Sequence, residues 1–293
     1  MEQNVIFQLL VNALQLGGVY VMFTLGLTLI FGIMSVVNFA HGEIFTLAAY
    51  LTIVFYEGIS SVGLNSYTAY VLVLVLVALT IALVSWVMER VIFRPFSGDL
   101  VSGLIVSLGL SLALQAIFLL TFGAEPLSMA SVFNGIVTLF GGIISREKLV
   151  IVLFSLIITF VVYALVQRTR LGMAMRAITQ NKEAAQLQGV NYNKISIAGF
   201  VLGGVLAAIA GVLVVPAALA TPHIGAGYLM KAFIIIIIGG MGSIPGTIIA
   251  GFLLGFIESI TSFYFSLQAS SMLLFALVIV ILIVRPKGLL GYE

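Results

Sequence analysis

Long apolar runs alternate with short polar connections along the whole chain. Nine runs cover about residues 5–34, 41–56, 67–88, 101–122, 149–167, 195–217, 226–239, 245–264 and 268–284. An apolar run of about 18 residues or more is long enough to cross the hydrocarbon core of a bilayer as an α-helix. The pattern predicts an all-α integral membrane protein, a single transmembrane domain over residues 1–293 with a bundle of about eight or nine transmembrane helices.

Two interruptions break the apolar pattern without forming a proper loop: GIMSVVNFAHGE at 32–43 and GGMGSIPG at 239–246. Lipid cannot satisfy backbone groups freed from helical hydrogen bonds, so such breaks belong where protein or a water-filled cavity surrounds them. We interpret them as related broken or re-entrant elements that flank a transport path. The alternative is a pair of tight helical hairpins at the membrane surface. The candidate path residues are Asn38, His41, Glu43, Gly239, Gly240 and Gly242.

Glu43 has two interpretations that the sequence leaves open. It contacts the solute, or it stabilises the start of an outward-running helix, where the helix dipole favours a carboxylate. A metal site is not expected, because the chain has only two histidines and His223 should lie on the other side of the membrane from His41.

A polar stretch, RTRLGMAMRAITQNKEAAQLQGVNYNK at about 168–194, separates two apolar runs. Asn181 can cap a helix, Glu183 suits its first turn, and Gly189 can end it in the left-handed conformation. A helix of about two turns does not persist alone in water, so docking to a partner protein is the favoured interpretation. A helix lying on the membrane surface is the alternative. The side chains expected to be exposed on it are Ala184, Ala185 and Leu187.

Composition and charge narrow the class of protein. The chain is 62% hydrophobic and 8% charged, with a net charge of +2, so no nucleic-acid partner is expected. Without cysteines there are no disulfides or thiolate sites. Basic residues mark cytoplasmic loops. They predict the N-terminus outside and the C-terminus inside, with the N-terminus moving inside if one run is re-entrant. The marking residues are Arg90, Arg94, Arg168, Arg170, Arg176, Lys182, Lys194, Arg285 and Lys287.

Lys231 and Glu258 are further charges inside predicted spans. A charge at mid-membrane is costly, so it usually faces protein or water. Gly251 and Gly255 form a G-x-x-x-G contact pattern, and Glu258 lies on the same helical face. We predict that Glu258 points into the bundle and pairs with Lys231. The alternative is that Lys231 extends to the outer surface.

No catalytic set is evident, and the chain has no G-x-x-x-x-G-K-S/T loop for ATP. The sequence therefore predicts a transport protein and not an enzyme, with no cofactor of its own.

The polar stretch carries a recognisable motif. EAAQLQG matches the EAA-x-x-x-G signature of ABC-importer permeases, and NFAHGE and MKAF strengthen the match. From about residue 9 to 286 the chain resembles the permeases of branched-chain amino-acid (Liv-type) ABC importers, in particular their shorter permease subunit. The longer importer signature continues with Ile-x-Leu-Pro, which this chain lacks, and that departure weakens the generic signature. The resemblance implies that Glu183, Ala184, Ala185 and Gly189 belong to a coupling helix that docks on an ATPase subunit.

The resemblance also implies the partners and the location. It implies cytoplasmic ATPase subunits that bind ATP and Mg²⁺, a second permease subunit or a second copy, and an extracytoplasmic solute-binding protein, in a bacterial plasma (inner) membrane. Branched-chain or other small neutral amino acids are the implied cargo, with urea or short amides as the alternative. A secondary transporter or channel could also use broken helices, with Glu258 or Glu43 titrating, but it does not explain the EAA-x-x-x-G helix.

Overall fold

The computed structural model describes residues 2–139, 142–285 and 288–290. Most of these residues are helical. The helices are α1 Glu2–Met34, α2 His41–Ser60, α3 Ser66–Val87, α4 Leu100–Phe122, α5 Arg146–Arg168, α6 Arg170–Gln180, α7 Lys182–Leu187, α8 Tyr192–Val214, α9 Ile224–Gly239, α10 Ile244–Tyr264 and α11 Leu267–Val284. A π-helical turn at Met88–Phe93 and a 3₁₀ turn at Arg94–Phe96 extend α3, and a 3₁₀ turn at Val215–Ala217 extends α8.

Each of the nine apolar runs predicted from the sequence coincides with one helix of the described residues. Seven of the helices are long and apolar enough to cross a membrane: α1 to α5, α8 and α10. The other two apolar helices, α9 and α11, are shorter. The prediction of an all-α, multi-pass integral membrane protein is confirmed.

Helix α1 is the centre of the bundle and packs antiparallel against both α8 and α10. Glycines set these contacts. A Cβ atom added to Gly255 would lie 2.6 Å from the Cα of Gly17, and one added to Gly203 would lie 2.7 Å from the carbonyl oxygen of Gly26. Small residues let helix backbones approach closely where lipid gives no hydrophobic driving force between helices. The contact role predicted for Gly255 is confirmed.

The ends of the bundle differ. At one end lies a β-hairpin of β1 Ile136–Leu139 and β2 Gly142–Ser145, which the apolar pattern did not predict because strands of four residues leave little periodicity. The other end carries α6 and α7, and Thr179 of α6 lies beside Gly32 of α1 and Gly242.

Helix α6 was missed by the sequence analysis, which treated its residues as loop. Its buried side includes Gly172, Met175 and Ile178. Met175 and Ile178 are three residues apart, a spacing that puts both side chains on one face of a helix. That spacing was the available signal, and the surrounding arginines obscured it.

Asp99 caps the start of α4 by accepting hydrogen bonds from the backbone N–H groups of Val101 and Ser102. The hydroxyl of Ser102 also donates to this carboxylate, and these bonds hold the pKa of Asp99 below its usual value. The Asp99 carboxylate therefore stays ionised at neutral pH. It lies at the same end of the bundle as α7.

Candidate functional site

The first interruption of the apolar pattern is a non-helical segment inside the bundle. Helix α1 ends at Met34, six residues have no helical structure, and α2 begins at His41. His41 Nε2 lies 3.1 Å from the carbonyl oxygen of Phe23, which is eleven residues, or about 16 Å, before the end of α1. The segment therefore runs back along α1 after a turn at Ser35, whose φ of 53° is left-handed.

Several polar atoms of this first break are buried without a hydrogen-bond partner in the described part of the chain. They are both amide atoms of Asn38, Nδ1 of His41 and Oε2 of Glu43. Because a carbonyl oxygen only accepts, His41 Nε2 must carry the hydrogen that it shares with Phe23, so Nδ1 is an unused acceptor. An unpaired buried polar group costs about 1–3 kcal/mol and calls for an explanation. A solute or water path supplies one.

Glu43 faces α4. Its Oε1 accepts hydrogen bonds from Ser111 Oγ at 3.0 Å and from Gln115 Nε2 at 2.7 Å. Gln115 Oε1 in turn lies 3.2 Å from Nδ1 of His223. Two side-chain contacts therefore connect His223 to Glu43. They can form because α9 begins at the level of Gln115, before the end of α4.

The sequence analysis missed Ser111 and Gln115. Together with Ser107 they recur every four residues along α4, which places all three on one face of an otherwise apolar helix. That polar stripe was the signal that could have found them.

The second interruption is a tight turn of four residues between α9 and α10. Gly240 and Gly242 have φ values of 98° and 80°, a conformation that glycine adopts without steric cost. Ser243 caps α10 by accepting from the N–H of Gly246 at 3.2 Å, and a Cβ added to Gly239 would lie 2.5 Å from the carbonyl carbon of Gly246. Gly242 adjoins Gly32, near the end of α1.

The two breaks are thus not the matching elements that the sequence suggested. The hairpin alternative describes the second break, whereas the first is re-entrant. They nevertheless border one apolar cavity of about 350 Å³, to which Val37 and Phe39 contribute from the first break and Met241 from the second.

The short helix α7 forms as its sequence predicted. Asn181 Oδ1 accepts from the N–H of Ala184 at 2.9 Å. At the other end, Gly189 has a φ of 85°, Val190 N donates to Ala185 O, and Gly189 N donates to Gln186 O. This pair of bonds is the Schellman motif that ends helices at a left-handed glycine.

The outer face of α7 differs from the expected one in one residue. Leu187 is 87% exposed and Ala184 and Glu183 are exposed, but Ala185 is only 5% exposed and belongs to the core. The expectation that Ala185 is exposed is wrong. Consecutive helical residues point about 100° apart, and α7 rests on the protein through the side that carries Ala185 and not through the side that carries Ala184.

Helix α7 is connected to two membrane helices. The ammonium of Lys182 lies 3.7 Å from the centre of the Tyr192 ring at the start of α8. The Tyr192 hydroxyl contacts the hydroxyl of Ser97, which follows the end of α3.

Glu89 is a buried charge that the sequence analysis missed, because it lies just past the apolar run of α3. It is fully buried and accepts from Arg94 and from Ser196, both at 2.8 Å. It joins the end of α3 to α8 beside the Tyr192 contact.

Lys231 of α9 and Glu258 of α10 lie in contact. Lys231 Nζ is 2.6 Å from Glu258 Oε1, and Glu258 is 4% exposed. Tyr20 of α1, which the sequence did not single out, donates to Glu258 Oε2 at 2.8 Å and lies 2.6 Å from Lys231 Nζ. The three side chains tie α1, α9 and α10 together. Among the described residues, no group of three or more His, Asp or Glu side chains could hold a metal ion.

The described residues thus form a multi-pass helical bundle with a buried polar break and an exposed short helix at one end. Comparisons with known proteins give the family. A family described as "Branched-chain amino acid transport system / permease component" matches residues 9–283. The chain therefore belongs to this family of membrane permease components.

Curated relatives cover nearly the whole chain. The high-affinity branched-chain amino acid transport system permease protein LivH of Escherichia coli K12 is 33% identical over 99% of this chain and 97% of its own length. The corresponding protein BraD of Pseudomonas aeruginosa is 32% identical over 97% and 95%. A probable LivH of Methanocaldococcus jannaschii is 25% identical over 97% and 92%. No solved structure matches the chain.

Proposed function

We propose that this chain is the transmembrane permease subunit of an ATP-driven importer in a bacterial plasma (inner) membrane, and that its cargo is branched-chain or other small neutral amino acids. Family membership and the names of the full-length relatives support this assignment. Neither the family nor the names of these relatives favours urea or short amides as the cargo. The subunit itself catalyses no reaction; ATP and Mg²⁺ bind to separate ATPase subunits.

The proposed assembly contains two cytoplasmic ATPase subunits, a second homologous permease or a second copy of this chain, and an extracytoplasmic solute-binding protein. With α7 in the cytoplasm, the C-terminus is cytoplasmic as well. The backbone N–H groups of Leu289 and Leu290 donate to the carbonyl oxygens of Ile238 and Gly239. These contacts place the chain after α11 at the end of the bundle that carries α7, which supports this orientation. The N-terminus is then outside.

The observation that carries the proposal is α7 itself. It is a capped helix of six residues with Leu187 exposed, too short to be stable by itself and held by Lys182 and Ala185. In the proposed mechanism an ATPase subunit contacts Glu183, Ala184 and Leu187. Movement of α7 then reaches α8 through Tyr192 and the end of α3 through Ser97, which biases the membrane helices between two arrangements.

Replacement of Glu183 by Lys, or of Gly189 by Val, tests the docking role. The first reverses the charge at the helix start, and the second forces a β-branched residue into a left-handed conformation. We expect insertion to be unchanged while co-purification of the ATPase subunit and uptake fall about tenfold.

The matched controls lie at the opposite end of the bundle, in the last turn of α2 and in the connection from α2 to α3. Glu57→Lys reverses an exposed charge there, and Gly63→Val places valine at a φ of 79° with open space around it. If the α7 variants keep normal ATPase association and uptake, or if the controls lose them equally, the docking assignment is wrong.

The proposed solute path follows the first break, at Asn38, His41 and Glu43, and passes the glycines Gly239, Gly240 and Gly242 of the second. The chain has no native cysteine, so a thiol introduced as Asn38→Cys is the only one. We expect it to react with a small aqueous thiol reagent at a rate that changes with the nucleotide bound to the ATPases. A thiol that is inert in every nucleotide state would remove Asn38 from the path.

A further inference from the structure

We infer that Glu89 is a positioning residue for transport: it clamps the extension of α3 to the start of α8, so that α7 moves both membrane helices as one body. The inference rests on the proposed docking of α7 to an ATPase subunit. It adds the residue that decides whether a movement of α7 reaches α3 as well as α8.

Both oxygens of Glu89 are hydrogen-bonded, and one of these bonds crosses to α8. Oε2 accepts from Arg94 at 2.8 Å within the extension of α3, and Oε1 accepts from Ser196 of α8 at 2.8 Å. Glu89 and Ser196 are both buried. Apolar residues in place of a buried ion pair often leave stability unchanged or raise it, so stability alone does not explain the charge. The charge does fix one position of α3 against α8, because the carboxylate must keep both partners.

Glu89 lies in the π-helical turn Met88–Phe93, which extends α3. Such turns are rare, occur mostly as single turns inside α-helices and are frequent at functional sites. Two buried side chains of the turn contact α8: Glu89 contacts Ser196, and the ring centre of Phe93 lies 5.1 Å from that of Phe200. The departure from α-helical geometry therefore occurs where α3 meets α8.

The contacts of α8 with α3 and the residues that follow it form one row, because residues four apart lie along one ridge of a helix. The contact pairs are Tyr192 with Ser97, Ser196 with Glu89, Phe200 with Phe93, and Gly204 with Ser85. A Cβ atom added to Gly204 would lie 3.0 Å from the Cβ of Ser85, so the two helices approach closely there. The row extends from residue 192 to residue 204, or about 18 Å along α8, which makes the two helices one packed unit.

Helix α7 contacts this unit at the beginning of the row. The ammonium of Lys182 lies 3.7 Å from the ring centre of Tyr192, the first residue of α8. A displacement of α7 therefore acts first on α8. The bond from Ser196 to Glu89 is charge-assisted, and such bonds are about twice as strong as neutral ones, whereas the contact of Ser97 with Tyr192 joins two hydroxyls. Glu89 is thus the strongest polar link through which α3 follows α8.

The first test asks whether α3 and α8 move together. The chain has no native cysteine, so Ser97→Cys and Tyr192→Cys can be joined by a short bifunctional thiol reagent in the complete importer. We expect the two thiols to be linked at the same rate in every nucleotide state of the ATPases, and the linked importer to keep its uptake. A link that forms in only one nucleotide state, or that stops uptake, would overturn the inference.

A link across the boundary of the unit is the matched control. Thr179 of α6 lies beside Gly32 of α1, where an added Cβ atom would be 3.3 Å from the threonine hydroxyl. A disulfide between Thr179→Cys and Gly32→Cys therefore ties the helix that leads into α7 to α1. We expect oxidation to stop uptake and reduction to restore it. If the oxidised form transports normally, α7 does not move against the bundle and the inference fails.

The second test separates coupling from stability. Glu89→Gln keeps an acceptor for Ser196 but removes the charge that holds Arg94. We expect the ATPase subunit to co-purify and to hydrolyse ATP as before, while the solute taken up per ATP hydrolysed falls at least about fivefold, within the usual range of coupling between sites. Glu258→Gln is the matched control, because Glu258 is likewise a buried carboxylate in an ion pair. It should lower stability and leave the ratio of uptake to hydrolysis unchanged.

Two results of the second test overturn the inference. Losses of uptake and hydrolysis in equal proportion, as in Glu258→Gln, would make Glu89 a structural residue only, and unchanged uptake would show that its charge is dispensable. Failure of the proposed function is a different result: the unmodified importer would then take up no amino acid, or Glu183→Lys on α7 would leave ATPase association and uptake normal.

Discussion

The hairpins α1–α2 and α9–α10 both reverse the chain, but they do so in opposite ways. The α9–α10 hairpin closes through backbone contact, with Gly239 against Gly246 and a turn of four residues. The α1–α2 hairpin inserts six non-helical residues into the bundle and leaves the amide of Asn38 buried, with no hydrogen-bond partner among the described residues. The α9–α10 arrangement maximises packing, whereas the α1–α2 arrangement gives up stability at the buried amide.

The difference follows from the residues that interrupt each apolar run. GGMGSIPG supplies glycines for left-handed conformations and a serine cap, which together make a compact turn. NFAHGE supplies side chains that can bind something other than the protein. Polar groups that are left unpaired at one site while their neighbours are well packed indicate function more than structure. The comparison therefore predicts stability effects at the second hairpin and transport effects at the first.

The largest effect on stability is expected from Gly239→Ala. The added methyl group would lie 2.5 Å from the carbonyl carbon of Gly246, so the hairpin must open, at a cost of about 3 kcal/mol. Thermal unfolding in detergent measures it. Gly227→Ala on the same helix, where the methyl group meets nothing within 4 Å, should be neutral or slightly stabilising. Equal behaviour of the two variants would refute the close-contact account.

The ion pair that ties α9 to α10 should give the next largest effect. We expect Lys231→Met and Glu258→Gln each to cost about 2 kcal/mol, because each leaves a buried or half-buried partner incompletely satisfied. The double variant should recover part of the loss, and all four forms are compared by unfolding and uptake in a double-mutant cycle. Strictly additive losses would show that the 2.6 Å contact carries no coupling energy.

A smaller effect is expected where the two hairpins meet. The hydroxyls of Thr28 on α1 and Thr247 on α10 are hydrogen-bonded at 2.9 Å in the buried core. Thr28→Val keeps the shape and removes the bond, so we expect a loss of about 1 kcal/mol, within the usual range for a buried hydrogen bond. Thr80→Val, which removes an exposed hydroxyl bonded only within α3, is the control and should change stability less.

The smallest effect on stability is expected from Asn38→Leu in the first break. The amide makes no hydrogen bond to the described residues, so an apolar residue of similar size should leave the free energy of unfolding unchanged within about 0.5 kcal/mol while uptake falls. Asn65→Leu is the control, because Asn65 caps α3 through a bond to Tyr67 N and should cost about 1 kcal/mol. If Asn38→Leu destabilises the protein more than Asn65→Leu, the amide has a structural role and the contrast between the hairpins fails.

Sequence alone determined the features that depend on neighbours along the chain. Nine apolar runs became nine helices because membrane insertion depends on the length and polarity of a single segment. The ends of α7 were predictable because Asn181 and Gly189 act on backbone groups within a few residues. The family was recognisable for the same reason, since its motif lies in that short helix.

Only the tertiary structure decided which polar groups meet across the bundle. Glu43 finds Ser111 and Gln115, and Tyr20 joins the pair of Lys231 and Glu258, although these partners are far apart in the chain. The sequence pattern places a residue on a helical face but does not orient one helix against another, because lipid solvates every apolar face equally well. Helix packing through glycines settled those orientations, and with them the different depths of the two breaks.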